Sequence, residues 1–161
     1  MKPAVTKAIN EQINKELFSG YLYLSMASYF ADEDLPGFAH WMTQHAQEEA
    51  EHAFKMIEFL HEQGERVQLE AIDKPKHRFD SPVAVFEEAL EHEQMVTGLI
   101  NQLYELAQDE KDHASAIFLQ WYVTEQVEEE ATFSEILENL RRAGSSGHAL
   151  FMLDRQLGSR E

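Results

Sequence analysis

Glu16, Glu49 and His52 recur in altered form 77 positions later as Glu93, Gln126 and Glu129. In each set the second residue follows the first by 33 positions, and the third lies one helical turn further on. Carboxylate, amide and imidazole groups offer oxygen and nitrogen ligands to a metal ion. Two copies of such a set, projected inward from four long helices, are what a two-metal site inside a helical bundle requires. A bundle built for stability alone would carry Leu or Ile at these places. Two divalent cations would neutralise the four carboxylates, and His52 would supply the single nitrogen. That donor set suits iron or manganese better than copper, which favours more nitrogen.

The elements that must carry these residues are helical, because strand signals are nearly absent and the apolar residues repeat with a helical period. A first helix is expected from about Pro3 to Ala31, ended by Asp32-Glu33-Asp34-Leu35-Pro36-Gly37. A second starts near Pro36, with proline tolerated in the first turn, and stops at Gly64. Residues 65–80 lack a helical period. Ser81 and Pro82 open a third helix that ends near Asp109-Glu110-Lys111, and Asp112 caps a fourth that runs to Arg141-Arg142. Beyond Gly144-Ser145-Ser146-Gly147 a short amphipathic helix covers His148 to about Leu157.

Short connections make helices one and two antiparallel, and helices three and four likewise. The long middle segment reaches up to about 55 Å at roughly 3.3 Å per residue. A helix of about 27 residues is only about 40 Å long. The segment can therefore cross the whole bundle and start helix three parallel to helix two. The expected fold is all-α: a four-helix bundle with one long crossover (about residues 3–142) and a short fifth helix, forming a single domain over residues 1–161.

At about 100° per residue, the candidate ligands fall on the apolar faces. Glu16 lies with Ile9, Ile13, Tyr23 and Phe30, and Glu49 with Phe38, Met42, Met56 and Leu60. Glu93 lies between Phe86, Leu90, Ile100 and Tyr104, and Gln126 and Glu129 flank the line through Leu119, Tyr122, Phe133 and Leu137. One buried carboxylate costs several kcal/mol, and several together repel one another.

Composition narrows the function classes. The 161 residues contain 30 Asp plus Glu against 13 Lys plus Arg, for a net charge of −17. Such a surface repels nucleic acid and anionic membranes and attracts cations. There is no cysteine, which excludes disulfides, thiolate metal sites and thiol catalysis. Met1-Lys2-Pro3-Ala4-Val5-Thr6-Lys7 turns polar before a signal-peptide apolar region could form. No apolar run approaches the roughly 20 residues of a membrane span. A cytoplasmic location is expected, without nucleic-acid or membrane partners.

Glu16, Glu49-Ala50-Glu51-His52, Glu93 and Gln126-Val127-Glu128-Glu129 resemble the ferroxidase motifs of the non-haem ferritins of bacteria and archaea. Asn10-Glu11-Gln12-Ile13-Asn14, Gly37-Phe38-Ala39-His40-Trp41-Met42 and Phe118-Leu119-Gln120-Trp121-Tyr122-Val123 are similar to that family too, and the resemblance spans the chain. It implies iron storage and detoxification, with Fe(II) oxidised by O2 or H2O2 at a diiron centre and ferric mineral kept inside a hollow homo-oligomer of 24 subunits. By this resemblance Glu16, Glu49 and His52 hold one iron, and Glu49, Glu93 and Glu129 hold the second with Glu49 bridging. Gln126 stands beside the pair.

A third iron site is implied at Glu48, Glu125 and Glu128 with Glu129 shared, and Tyr23 matches a tyrosine the family places beside the centre. Trp121 is expected to pack in the core. His40, His45, His92 and His113 have no matching ligand set and are expected as surface or core residues. No haem is expected, because Ala50 stands where the haem-binding relatives carry methionine. Ala116 and Leu119 occupy the positions of the acidic channel residues of animal ferritins, so iron access by that route is not expected.

Overall fold

A computed structural model describes all 161 residues and contains five helices and no strand. They are α1 (Pro3–Asp32), α2 (Pro36–Glu62), α3 (Pro82–Asp109), α4 (His113–Ala143) and α5 (Gly147–Gly158). Three of them begin with proline, whose missing N–H is no loss in a first helical turn. Ser81, Asp112 and Ser146 cap α3, α4 and α5 by accepting from the backbone N–H of Ala84, Ser115 and Ala149. The cap at Ser146 starts α5 one residue earlier than its apolar pattern suggests.

The 77-residue repeat extends to the backbone. α1 and α3 each end on a left-handed residue that is not glycine, Asp34 (φ 56°) and Lys111 (φ 57°). In both turns the following N–H reaches back five residues, from Leu35 to the Phe30 carbonyl (3.0 Å) and from Asp112 to the Ala107 carbonyl (2.9 Å). Each pair of hydrogen-bonded residues is the other shifted by 77. Two copies of one helix hairpin, closed by the same C-terminal cap, therefore make up the bundle.

The crossover runs along α1. Asn10 donates to the Arg66 carbonyl and accepts from the Gln68 N–H, Asn14 donates to the Glu70 and Ala71 carbonyls, and Ser25 donates to the Lys76 carbonyl. These side chains satisfy backbone groups that have no helical partner. The chain thus arrives beside the C-terminal end of α1, where Phe79 packs on Tyr29 with ring centroids 5.6 Å apart, and starts α3 parallel to α2.

Two apolar clusters fill the bundle. One contains Tyr23, Met26, Phe30, Phe38, Met42, Phe86, Phe133 and Leu137; the other contains Ile9, Ile13, Met56, Leu60, Val96, Ile100, Leu119 and Tyr122. Between them lies a buried polar layer drawn from all four long helices.

α5 docks on the start of α2, where the Asp154 carboxylate accepts from the Phe38 N–H at 3.0 Å. A methyl group at Gly37 would stand 1.7 Å from the Asp154 carbonyl oxygen. That neighbour is backbone and cannot swing aside. Gly37→Ala should therefore undock α5 at a cost of about 1–3 kcal/mol, read as faster tryptic cleavage at Arg155. Cleavage at the unaltered rate would show that the helix is held elsewhere.

Candidate metal centre

Glu16 on α1 and Glu49 on α2 meet because Gly20 lets the two helices approach closely. A Cβ at Gly20 would lie 3.0 Å from the Ala46 carbonyl and 3.5 Å from the Glu49 Cβ. Glu93 comes from the middle of α3, and Gln126 and Glu129 from one turn of α4. All six sequence-identified residues, His52 included, are buried.

Five of them sort into two groups that share one member. Glu16, Glu49 and His52 form the first; Glu49, Glu93 and Glu129 form the second, together with His45. Within each group the ligand atoms lie within 4.8 Å of one another. His52 Nδ1 stands 3.8 Å from Glu16 Oε2 and 3.6 Å from Glu49 Oε2. Four buried polar side-chain atoms of the protein have no hydrogen-bond partner, and three belong here: Glu16 Oε2, His45 Nε2 and Glu129 Oε2. Orphaned buried polar atoms are rare in folded proteins. A cation placed between these atoms would satisfy them, so the donor set fits a metal pair.

The remaining contacts fix the carboxylates. Gln12 donates to Glu16 Oε1 at 2.7 Å. The Tyr23 hydroxyl donates to Glu93 Oε1, and the Gln126 amide donates to Glu93 Oε2 at 3.0 Å and to the Thr97 hydroxyl at 3.2 Å. In this arrangement the nitrogen end of the Gln126 amide is turned to Glu93, so Gln126 orients a ligand. Burial and the Glu93 carboxylate push the Tyr23 phenol well above its ordinary range, keeping it a neutral donor.

Burial is the largest influence on the ionisable groups of this layer. Burial raises Glu49 well above the usual carboxylate range, with His52 opposing and Glu16 and Glu93 reinforcing the shift. Burial, then the Glu129 charge, pushes Glu93 up to about 7. Burial works against a charged His52, yet the Glu16 and Glu49 carboxylates outweigh it and bring its pKa to about 11. Without metal, an imidazolium is thus the resident positive charge.

The residues of the implied third site are only partly assembled. Glu125 joins His52 and Glu129, with its carboxylate 3.9 Å from His52 Nε2. Glu48 and Glu128 stay outside that group, and Glu48 is paired with Arg160. Glu128 is exposed.

Three aromatic residues differ from or extend the sequence reading. His45 is not simply a core residue: its Nε2 lies 2.7 Å from Glu129 Oε2. The repeat hides it, since its counterpart 77 residues later is Tyr122. Its place one turn before Glu49 is the signal that could have found it. Trp121 is not in the core but 37% exposed, in a T-shaped contact with His52 and with the Lys55 ammonium 3.5 Å from its ring centroid. His92 packs against Phe18 and Tyr23 and contacts the Ser19 hydroxyl at 2.8 Å; burial lowers its pKa to about 4.

Residues 6–143 match the family model of the ferritin-like domain. The chain belongs to the ferritin family. It is 44% identical over 153 residues to the bacterial non-heme ferritin of Bacteroides fragilis, covering 95% of each chain. It is 42% identical to that of Campylobacter jejuni, covering 95% of this chain and 92% of the relative. Among solved structures, the open pore ferritin of the hyperthermophilic archaeon Archaeoglobus fulgidus superposes with a TM-score of 0.99 at 50% identity, over 100% of this chain and 99% of that one. No helix of this ferritin is long and apolar enough to cross a membrane.

Proposed function

We propose that this ferritin stores and detoxifies iron in the cytoplasm, oxidising Fe(II) at a two-metal centre inside each bundle and keeping the ferric product within a hollow shell of identical subunits, 24 by family resemblance. The observation that carries this reading is the shared Glu49, which belongs to both buried ligand groups. Iron is the substrate here. Two Fe(II) ions carry four positive charges, which match the carboxylates of Glu16, Glu49, Glu93 and Glu129.

In this reading Glu16, Glu49 and His52 hold the first Fe(II), and Glu49, Glu93 and Glu129 hold the second. Each iron gives up one electron. Two electrons and two protons convert O2 to H2O2, or H2O2 to two waters, so no one-electron oxygen product is released. Tyr23 and Gln126 hold Glu93 in place, and neither needs to change its own charge. Binding displaces the proton of His52, and hydrolysis of Fe(III) yields more.

The product leaves by exchange onto neighbouring acid groups. Glu125, already beside His52 and Glu129, is the first of these, and Glu48 and Glu128 extend the path. Because Glu128 is exposed and outside both ligand groups, Glu128→Ala should leave the first rapid phase of Fe(II) oxidation within about twofold of wild type. Iron turnover in later additions should slow. Loss of the first phase would place Glu128 in the primary site. Anomalous scattering at the iron edge from crystals soaked in Fe(II) tests the whole assignment. Iron bracketed by Glu16, Glu49, His52, Glu93 and Glu129 supports it, and iron confined to exposed carboxylates would overturn it.

A further inference from the structure

The residues that follow α5 place one cation on the acidic flank of the metal centre. α5 and the start of α2 approach closely, since a Cβ at Gly158 would stand 3.1 Å from the Gly37 Cα. The Arg160 N–H reaches back to the Leu157 carbonyl at 3.3 Å, and the Arg160 carbonyl contacts His40 Nε2 at 2.7 Å. The side chain is thereby aimed along α2. Its guanidinium lies 5.0 Å from the centroid of the Trp41 ring. Nη1 is 3.4 Å from the Trp41 carbonyl and 3.3 Å from His45 Nδ1, and Nη2 donates to Glu48 Oε1.

Most exposed ion pairs are weak, because ordering two long side chains offsets the attraction. Here the ordering is already supplied. The Arg160 side chain is only 24% exposed, lies over an aromatic ring and is anchored through its own backbone. Guanidinium has donors and no acceptor and stays protonated in proteins, so it cannot itself ligate a metal.

Glu48 is the carboxylate that this arrangement takes away. It stands one turn before His52 on the same face of α2. His52 Nε2 is 3.9 Å from the Glu125 carboxylate, and both close with the buried Glu129, whose Oε2 has no hydrogen-bond partner. Glu48 stays outside that group because it is held by the guanidinium instead.

We propose that Arg160 is a positioning residue that latches Glu48 away from the exit path of iron. Iron that moves outward from Glu125 finds Glu48 occupied and must displace the guanidinium to use it. The docked tail thus weakens cation binding on the flank and keeps iron at the two-metal centre. Undocked, it frees a further carboxylate beside Glu125. This inference rests on the proposed reading of the centre as a metal pair with an acidic exit.

Tb3+, a luminescent trivalent cation that binds carboxylates, tests it on the assembled protein with the two primary sites first filled by Zn2+. The chain has two tryptophans; Trp41 lies against Arg160 and Trp121 contacts His52, so indole-excited Tb3+ emission reports this flank. Arg160→Ala should lower the Tb3+ concentration at half-saturation about fivefold, the effect of removing a well-made ion pair. In a Glu48→Gln background the same change should leave the midpoint where Glu48→Gln alone puts it. Equal midpoints in Arg160→Ala and wild type would overturn the proposal. So would a gain that persists with Glu48→Gln, since the arginine would then act by general repulsion or through packing. Failure of the underlying reading looks different: wild-type protein then takes up no Zn2+ pair, and both conclusions fall together.

Discussion

Glu49→Gln should abolish rapid Fe(II) oxidation, lowering its initial rate by a factor on the order of 100 or more. The amide keeps the size and shape of the side chain, and the helices are held by the apolar clusters on either side of the polar layer. What it loses is charge and the ability to bridge. Outer partners of a metal ligand already contribute about 10–100-fold, and Glu49 is the one residue common to both ligand groups. The same change removes a buried carboxylate whose ionisation is opposed by burial and by Glu16 and Glu93. The metal-free variant should therefore melt no lower than wild type while being unable to oxidise iron quickly. Stopped-flow absorbance after anaerobic loading measures the rate. A wild-type first phase would sink the two-metal assignment.

The metal-free protein should lose stability as pH rises from about 4.5 to about 7, and Glu93→Gln should remove much of that slope. Glu93 titrates at about 7 in the folded chain and near 4.3 when unfolded. The folded state binds the proton more tightly, so its contribution is complete below the unfolded value and is lost as pH passes the folded one. The loss amounts to on the order of 3 kcal/mol per subunit. His52, raised to about 11, adds a loss of the same sign at higher pH, above its unfolded value near 6.5.

A bound divalent ion reverses both effects, because it replaces the protons and is taken up only by the folded chain. Chelated protein compared at pH 5 and pH 8, with and without Zn2+, gives the measurement. Parallel pH profiles for wild type and Glu93→Gln would show that Glu93 is not held protonated by its surroundings.

These effects explain why the layer persists in so costly a form. His45, Glu49, His52, Glu93 and Glu129 sit where two apolar clusters would otherwise join. Burial makes the carboxylates expensive, and in the proposed function cations would offset that cost. In the proposed function, such a layer would hold iron by charge compensation.

The architecture was legible in the order of residues because it rests on local signals that add up over long helices. Prolines at first turns, the caps at Ser81 and Asp112, and the 3.6-residue apolar period each act within a few residues. The 77-residue repeat in turn placed Glu16, Glu49, His52, Glu93, Gln126 and Glu129 at equivalent heights. The family resemblance likewise grouped Glu125 and Glu128 with Glu129. It could not say that only Glu125 closes on His52 and Glu129, since that depends on side-chain reach across the gap between α2 and α4.

Tertiary structure decided what lies off the repeat. His45 was hidden because its equivalent is Tyr122, and it is reached by Arg160, 115 residues away in sequence. Trp121 sits next to the core residue Tyr122, about 100° around the helix, and its ring is left to the Lys55 ammonium and solvent. The sequence by itself determined the four helices, their directions and the ligand types they carry, because hydrogen bonds and apolar periods are short-range. Only the folded chain determined which end of the Gln126 amide meets Glu93, what His45 touches and where Glu48 turns. Those choices are made by single donors and acceptors brought together from distant segments, and no periodicity encodes them.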